Sequence, residues 1–77
     1  MTALIDRMDI ERALRELPHR QRAVLVLRFL HGLEITIVAG LLGCRPNDVK
    51  YAQRVGMSSM KKSRWLAGYA VTPEVRQ

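Results

Sequence analysis

Between Gly43 and Pro46 the chain is made to turn a corner, and both flanks of that corner carry a helical pattern. Glycine ends helices in a left-handed conformation that other residues resist, and proline suits the first position of the next one, where its missing N–H would be unbonded anyway. Ahead of the corner, Ile35, Val38, Ala39 and Leu42 recur at spacings of three, one and three, which makes one stripe on a helix. Behind it, Val49, Ala52, Gly56 and Met60 make a second stripe, and the opposite face carries Asn47, Lys50, Tyr51 and Arg54. Two short helices joined by a glycine-containing turn of three or four residues are the signature of a helix-turn-helix. In that arrangement the second helix enters a DNA major groove.

The rest of the chain reads as support for this pair. Ile10, Ala13, Leu14 and Leu17 repeat the three-one-three spacing and predict a first helix over residues 9–17, with Asp9 as its N-cap and Glu11 in the first turn, where the dipole favours an acid. Leu4, Ile5 and Met8 extend the same pattern backwards. The residue before a proline is pushed out of the helical region, so the helix should stop at Leu17. Pro18 then opens a second helix over residues 18–31, ended by Gly32. From Ala23 to Leu30 only Arg28 interrupts an apolar run, so this helix needs cover on more than one side. Such a run also suits a buried strand, but no second strand candidate exists to pair with it.

The third helix is placed at 34–42 although Ile35, Thr36, Ile37 and Val38 favour helix poorly. The fourth runs over 46–63. Gly56 inside it costs roughly 1 kcal/mol against alanine, which is tolerable where another helix crosses closely. Trp65, Leu66 and Tyr69 suit one further turn packing back, and Val71 to Gln77 reads as a loose tail. The expectation is an all-α, small four-helix domain over residues 1–64, with residues 65–77 as a partly disordered tail.

Seventy-seven residues suffice for one small domain with a modest core. Apolar content of 48% argues against disorder, and no window approaches about 18 uninterrupted apolar residues, so a membrane span is not expected. The N-terminus lacks the basic start and apolar block of a secretory signal. The single cysteine and two histidines have no zinc spacing. A cytoplasmic protein without metal or cofactor is expected. No glycine-rich phosphate loop, paired carboxylates or nucleophile–base pair is present, so an enzyme with a small-molecule substrate is not expected.

The net charge of +6 is unevenly placed. Residues 1–34 hold six arginines against five acids. Residues 45–64 hold Arg45, Lys50, Arg54, Lys61, Lys62 and Arg64 against Asp48 alone. The excess sits on and just beyond the fourth helix, as expected of a polyanion binder, although a solvated basic face would look the same.

The runs ALRELPHRQRAVLVLRFLHGLE and AGLLGCRPNDVK resemble region four of bacterial RNA polymerase sigma factors, with closest kinship to the extracytoplasmic-function group. The family's pattern is matched by Leu17-Pro18, Arg20, Arg22, Val24-Leu25, Leu27-Arg28, Gly32-Leu33, Val38-Ala39, Leu42-Gly43-Cys44 and Val49-Lys50, in order and over about residues 10–62. The resemblance implies recognition of the upstream (minus-35) element of promoter DNA. It also implies docking on RNA polymerase core through the first two helices, at the β-flap, a surface that an anti-sigma factor also takes in the family. Region two, which melts promoters in the family, has no counterpart in this length.

Four departures bear on the site. Glu34 stands where the family places a capping Ser or Thr, and Ile37-Val38-Ala39 replaces its Glu-Ile-Ala. Asn47-Asp48 replaces its Gly-Thr. Ala52 and Val55 stand where basic residues are common.

Side chains near the start of a recognition helix read bases, because that end points into the groove. The expected readers are Arg45, Asn47, Lys50, Tyr51 and Arg54: arginine and lysine suit guanine O6 and N7, asparagine suits adenine, and Tyr51 or Arg54 suits a thymine methyl or a phosphate. Lys61, Lys62 and Arg64 lie too far along and are expected on phosphates, as are Arg20 and Arg22 from the second helix. Asn47 and Asp48 are equally explained as helix-start residues. Arg28 is expected to snorkel or pair with Glu34. Met8, Met57 and Met60 read as core filling, Cys44 as a small packed residue, and His19 and His31 as solvated. Two other readings remain: a region-four-like module held by an anti-sigma factor or activator with little DNA affinity, and a response-regulator-type helix-turn-helix domain.

Overall fold

The computed structural model of the chain describes residues 6–66, and among them there are four helices and no strand. The first, α1, spans Arg7–Arg15. Asp6, not Asp9, is its N-cap: the Asp6 carboxylate accepts the Met8 N–H at 2.8 Å. Both aspartates suit a cap. Asp6 wins because the helix reaches back to include Met8, and Asp9 instead takes a first-turn position, pairing with Arg12 at 2.9 Å. The helix also ends two residues early. The Glu16 and Leu17 N–H groups turn back to Ala13 and Leu14 carbonyls in a tightened last turn before Pro18.

The second helix, α2, begins at His19, with Pro18 as the extended residue before it and not as its first turn. It is α-helical over His19–Leu25 and then widens into a π-helical end, Val26–Leu30. Gly32 terminates it at φ 67°, a left-handed position where glycine carries no side-chain penalty. Arg28 does not pair with Glu34. Its guanidinium donates to the Leu33 carbonyl at 2.8 Å and to Gln53 Oε1 at 3.0 Å, tying the π-helical end to the next turn and to the fourth helix.

The third helix, α3, spans Ile35–Leu42, and Gly43 closes it at φ 68°. The N–H groups of Gly43 and Cys44 both reach the Ala39 carbonyl. Its β-branched run is held by tertiary contact: Val38 and Ala39 are buried in the core. The fourth helix, α4, spans Pro46–Lys62. Pro46 takes the first helical position, and the Asp48 carboxylate accepts the Arg45 N–H at 3.1 Å, fixing the turn.

The core sits where α2, α3 and α4 meet. Val24, Val38 and Val49 are fully buried, with Ala39 and Ala52 beside them and Leu27, Leu33, Ile35, Leu42 and Cys44 around the edge. Gly56 faces α2: a Cβ there would stand 3.2 Å from Leu25 Cδ1. The close crossing expected at this glycine is present. Met8 and Met57 do not fill the core but are exposed, while Met60 is half-buried.

The α1 helix is fastened mainly at its far end. It buries Ala13, and Leu17 just after it. Trp65, beyond α4, donates its indole N–H to Glu16 at 2.9 Å, and the guanidinium groups of Arg12 and Arg64 stand over its ring, 4.9 and 5.0 Å from the centroid. The proposed backward extension through Leu4 and Ile5, the contact of Tyr69 and the tail from Val71 to Gln77 fall outside the described residues.

Candidate nucleic-acid interface

Burial divides α4 into two faces. Val49, Ala52 and Gly56 point into the core, and Asn47, Lys50, Tyr51, Arg54, Ser58 and Lys61 are all exposed. At 100° per residue these six fall on one stripe opposite the core. Ser58 belongs to that stripe and escaped the sequence reading, because a lone serine carries no charge or motif to single it out.

Arg45 precedes the helix and is exposed, so the first two turns of α4 present Arg45, Asn47, Lys50 and Tyr51 together at the positive end of the helix dipole. Asp48, the only acid in this stretch, is half-buried and occupied by the Arg45 N–H. Asn47 makes no capping bond; that role belongs to Asp48, which leaves the Asn47 amide on the outer stripe.

The fold also brings α2 to this end of α4. Pro18, Arg20 and Gln21 line a cleft of about 190 Å3 together with Asp48, Tyr51 and Ala52. Arg20, exposed at the start of α2, thus flanks the N-terminal end of α4 from the side. Arg22 is half-buried and does not line that cleft. Lys61 and Lys62 stand exposed in the last turn of α4. Arg64 lies 3.7 Å from Glu16 and stacks on Trp65, so it is engaged with α1 and not grouped with the outer stripe.

A second exposed feature is apolar. The expectation that the Ala23–Leu30 run needs cover on several sides is met only in part: Val24 and Leu25 are buried, but Phe29 is 53% exposed and Leu30 69%. Ile37 and Leu41, one turn apart on α3, are also exposed. Among the described residues no group of three or more His, Cys, Asp or Glu could hold a metal ion, and no helix is long and apolar enough to cross a membrane.

These features define a helix-turn-helix protein with a basic outer face on its second helix. A family model described as "Sigma-70, region 4" matches residues 7–58, from the first residue of α1 to the fourth turn of α4. The chain belongs to the sigma-70 region 4 family, a DNA-binding family whose role is promoter recognition by sigma factors. A search of curated proteins and a search of solved structures gave no significant match.

Proposed function

We propose that this domain recognises the upstream, minus-35 promoter element with the N-terminal half of α4 while holding RNA polymerase core through α1 and α2, in the manner of an extracytoplasmic-function sigma factor. It catalyses no reaction. Arg45, Asn47, Lys50 and Arg54 read bases, with Tyr51 beside Arg54 on the same face; Arg20, Lys61 and Lys62 hold phosphates, and Arg22 and Arg64 join them only where DNA draws Arg22 out of its half-buried place and Arg64 away from Glu16. The single observation that carries this reading is the exposed stripe from Asn47 to Lys61, free of acids and opposite the core face of α4, with Arg20 alongside.

The test is selection of duplexes from a randomised library, followed by titration of the best one at two salt concentrations. Specific binding should weaken with salt at a slope of about −0.9 per phosphate contacted. Failure to select any sequence, or binding indifferent to salt, rejects the reading.

A second reading is favoured by Phe29, Leu30, Ile37 and Leu41. Four large apolar side chains left in water suit a protein partner, such as an anti-sigma factor or an activator, with DNA affinity minor. In that case the titration stays flat while the partner protects these residues.

A further inference from the structure

Tyr51 and Arg54 sit one turn apart on the outer stripe of α4, and the Arg54 guanidinium lies 5.4 Å from the centroid of the Tyr51 ring. Both are exposed, Tyr51 to 59%. Tyr51 also borders the cleft that Pro18, Arg20, Gln21, Asp48 and Ala52 line.

Arg54 is also alone: from Tyr51 to Met60 it is the only basic residue, with Ala52 and Val55 on either side. Whatever positive charge the middle of α4 offers to DNA comes from this one guanidinium. An arginine on an open helix surface samples many rotamers, and ordering it on binding opposes affinity. A guanidinium resting on an aromatic face has lost part of that freedom already, and its N–H edge stays available for a two-pronged contact.

We infer that Tyr51 is a positioning residue: its ring is a platform that pre-orders the Arg54 fork for bidentate contact with a guanine, and it contacts no base through its own hydroxyl. This rests on the reading of α4 as the base-reading helix and assigns the division of labour within it. The platform also predicts which part of tyrosine matters: the ring is required, and the hydroxyl is dispensable.

Two measurements on the full chain test it. In the free protein, ring-current shifts on the Arg54 side-chain protons should be present, persist in Tyr51→Phe and vanish in Tyr51→Ala. On the selected duplex, Tyr51→Ala should weaken binding about tenfold and Tyr51→Phe less than about twofold. The double variant Tyr51→Ala/Arg54→Ala should bind no more weakly than Arg54→Ala, and both should lose the same guanine preference. Independent, multiplying losses from the two substitutions overturn the inference, as does a Tyr51→Phe loss matching Tyr51→Ala, or absent ring-current shifts. A wild-type chain that selects no duplex overturns the base-reading assignment itself and this inference with it. Circular dichroism of the exposed-site variants separates either result from unfolding.

Discussion

Lys50 and Lys61 share the outer stripe of α4 but lie eleven residues apart, about 16 Å along the helix axis. That distance decides what each can touch. On the proposed reading Lys50, in the second turn, reaches a base edge, whereas Lys61 lies beyond the groove. Lys50→Ala should cost about 1–3 kcal/mol on the selected duplex and relax preference at one base position. Lys61→Ala should weaken all duplexes alike and reduce the salt slope by about one, as read by anisotropy titrations across a salt series. Gly56 answers to packing and not to DNA. With Leu25 Cδ1 3.2 Å from the Cβ it lacks, Gly56→Leu should overpack the α2–α4 crossing and cost about 1–3 kcal/mol in a urea melt. Residues such as Gly32, Gly43 and Pro46 were legible in the sequence because each satisfies a backbone requirement that few other residues meet. Asp6 against Asp9 was not, because two residues of one type three apart offer the same capping chemistry and only the helix path chooses between them.

Helices were legible where burial alone sets the period, and illegible where a polar contact resets it. The α3 and α4 stripes at three- and four-residue spacing became the core faces, since Val38, Ala39, Val49 and Ala52 all point inward. The π-helical end of α2 left no trace in the pattern. An apolar run with a single polar residue has too little phase to distinguish a normal turn from a widened one. Arg28, the one polar residue in the run, is what the widened end presents to Leu33 and Gln53. Arg28→Ala should therefore leave the Leu33 carbonyl short of a donor and destabilise the domain by about 1–3 kcal/mol. Arg28→Lys should recover only part of this, since an ammonium lacks the fork that spans both acceptors. Chemical denaturation of both variants, with Glu34→Gln as a neutral control, checks it. The attachment of α1 was likewise invisible in part: a Trp near the end of a sequence suggests packing, but its two arginine neighbours and Glu16 come from helix geometry. Trp65 is the only tryptophan, so its fluorescence reports that junction directly. Glu16→Gln should red-shift the emission as the indole loses its charged acceptor and opens to water.

At the scale of the whole molecule, charge and apolar exposure are assigned to different elements, and the two kinds of surface respond to different variables. The basic excess lies on α4 and its flanks, where attraction to DNA is screened by salt. Phe29 and Leu30 at the end of α2, with Ile37 and Leu41 on α3, form apolar exposure whose contact with a protein strengthens or persists as salt rises. A domain that bridges promoter and polymerase needs both, and needs them separable. Leu30 and Leu41 serve as the test pair, since each is more than 60% exposed and neither belongs to the core around Val24, Val38 and Val49. The double variant Leu30→Ser/Leu41→Ser should keep its helical signal and bind the selected duplex within about twofold of wild type. Its capture of RNA polymerase core, measured by biolayer interferometry at high salt, should fall by at least about tenfold, equivalent to about 1.4 kcal/mol. Lys50→Ala should show the reverse, with core capture intact and duplex binding weakened by about 1–3 kcal/mol. If one substitution set weakens both interactions together, the two surfaces are a single one, and the assignment of DNA to α4 and of the polymerase to α1 and α2, extended over the exposed side of α3, fails.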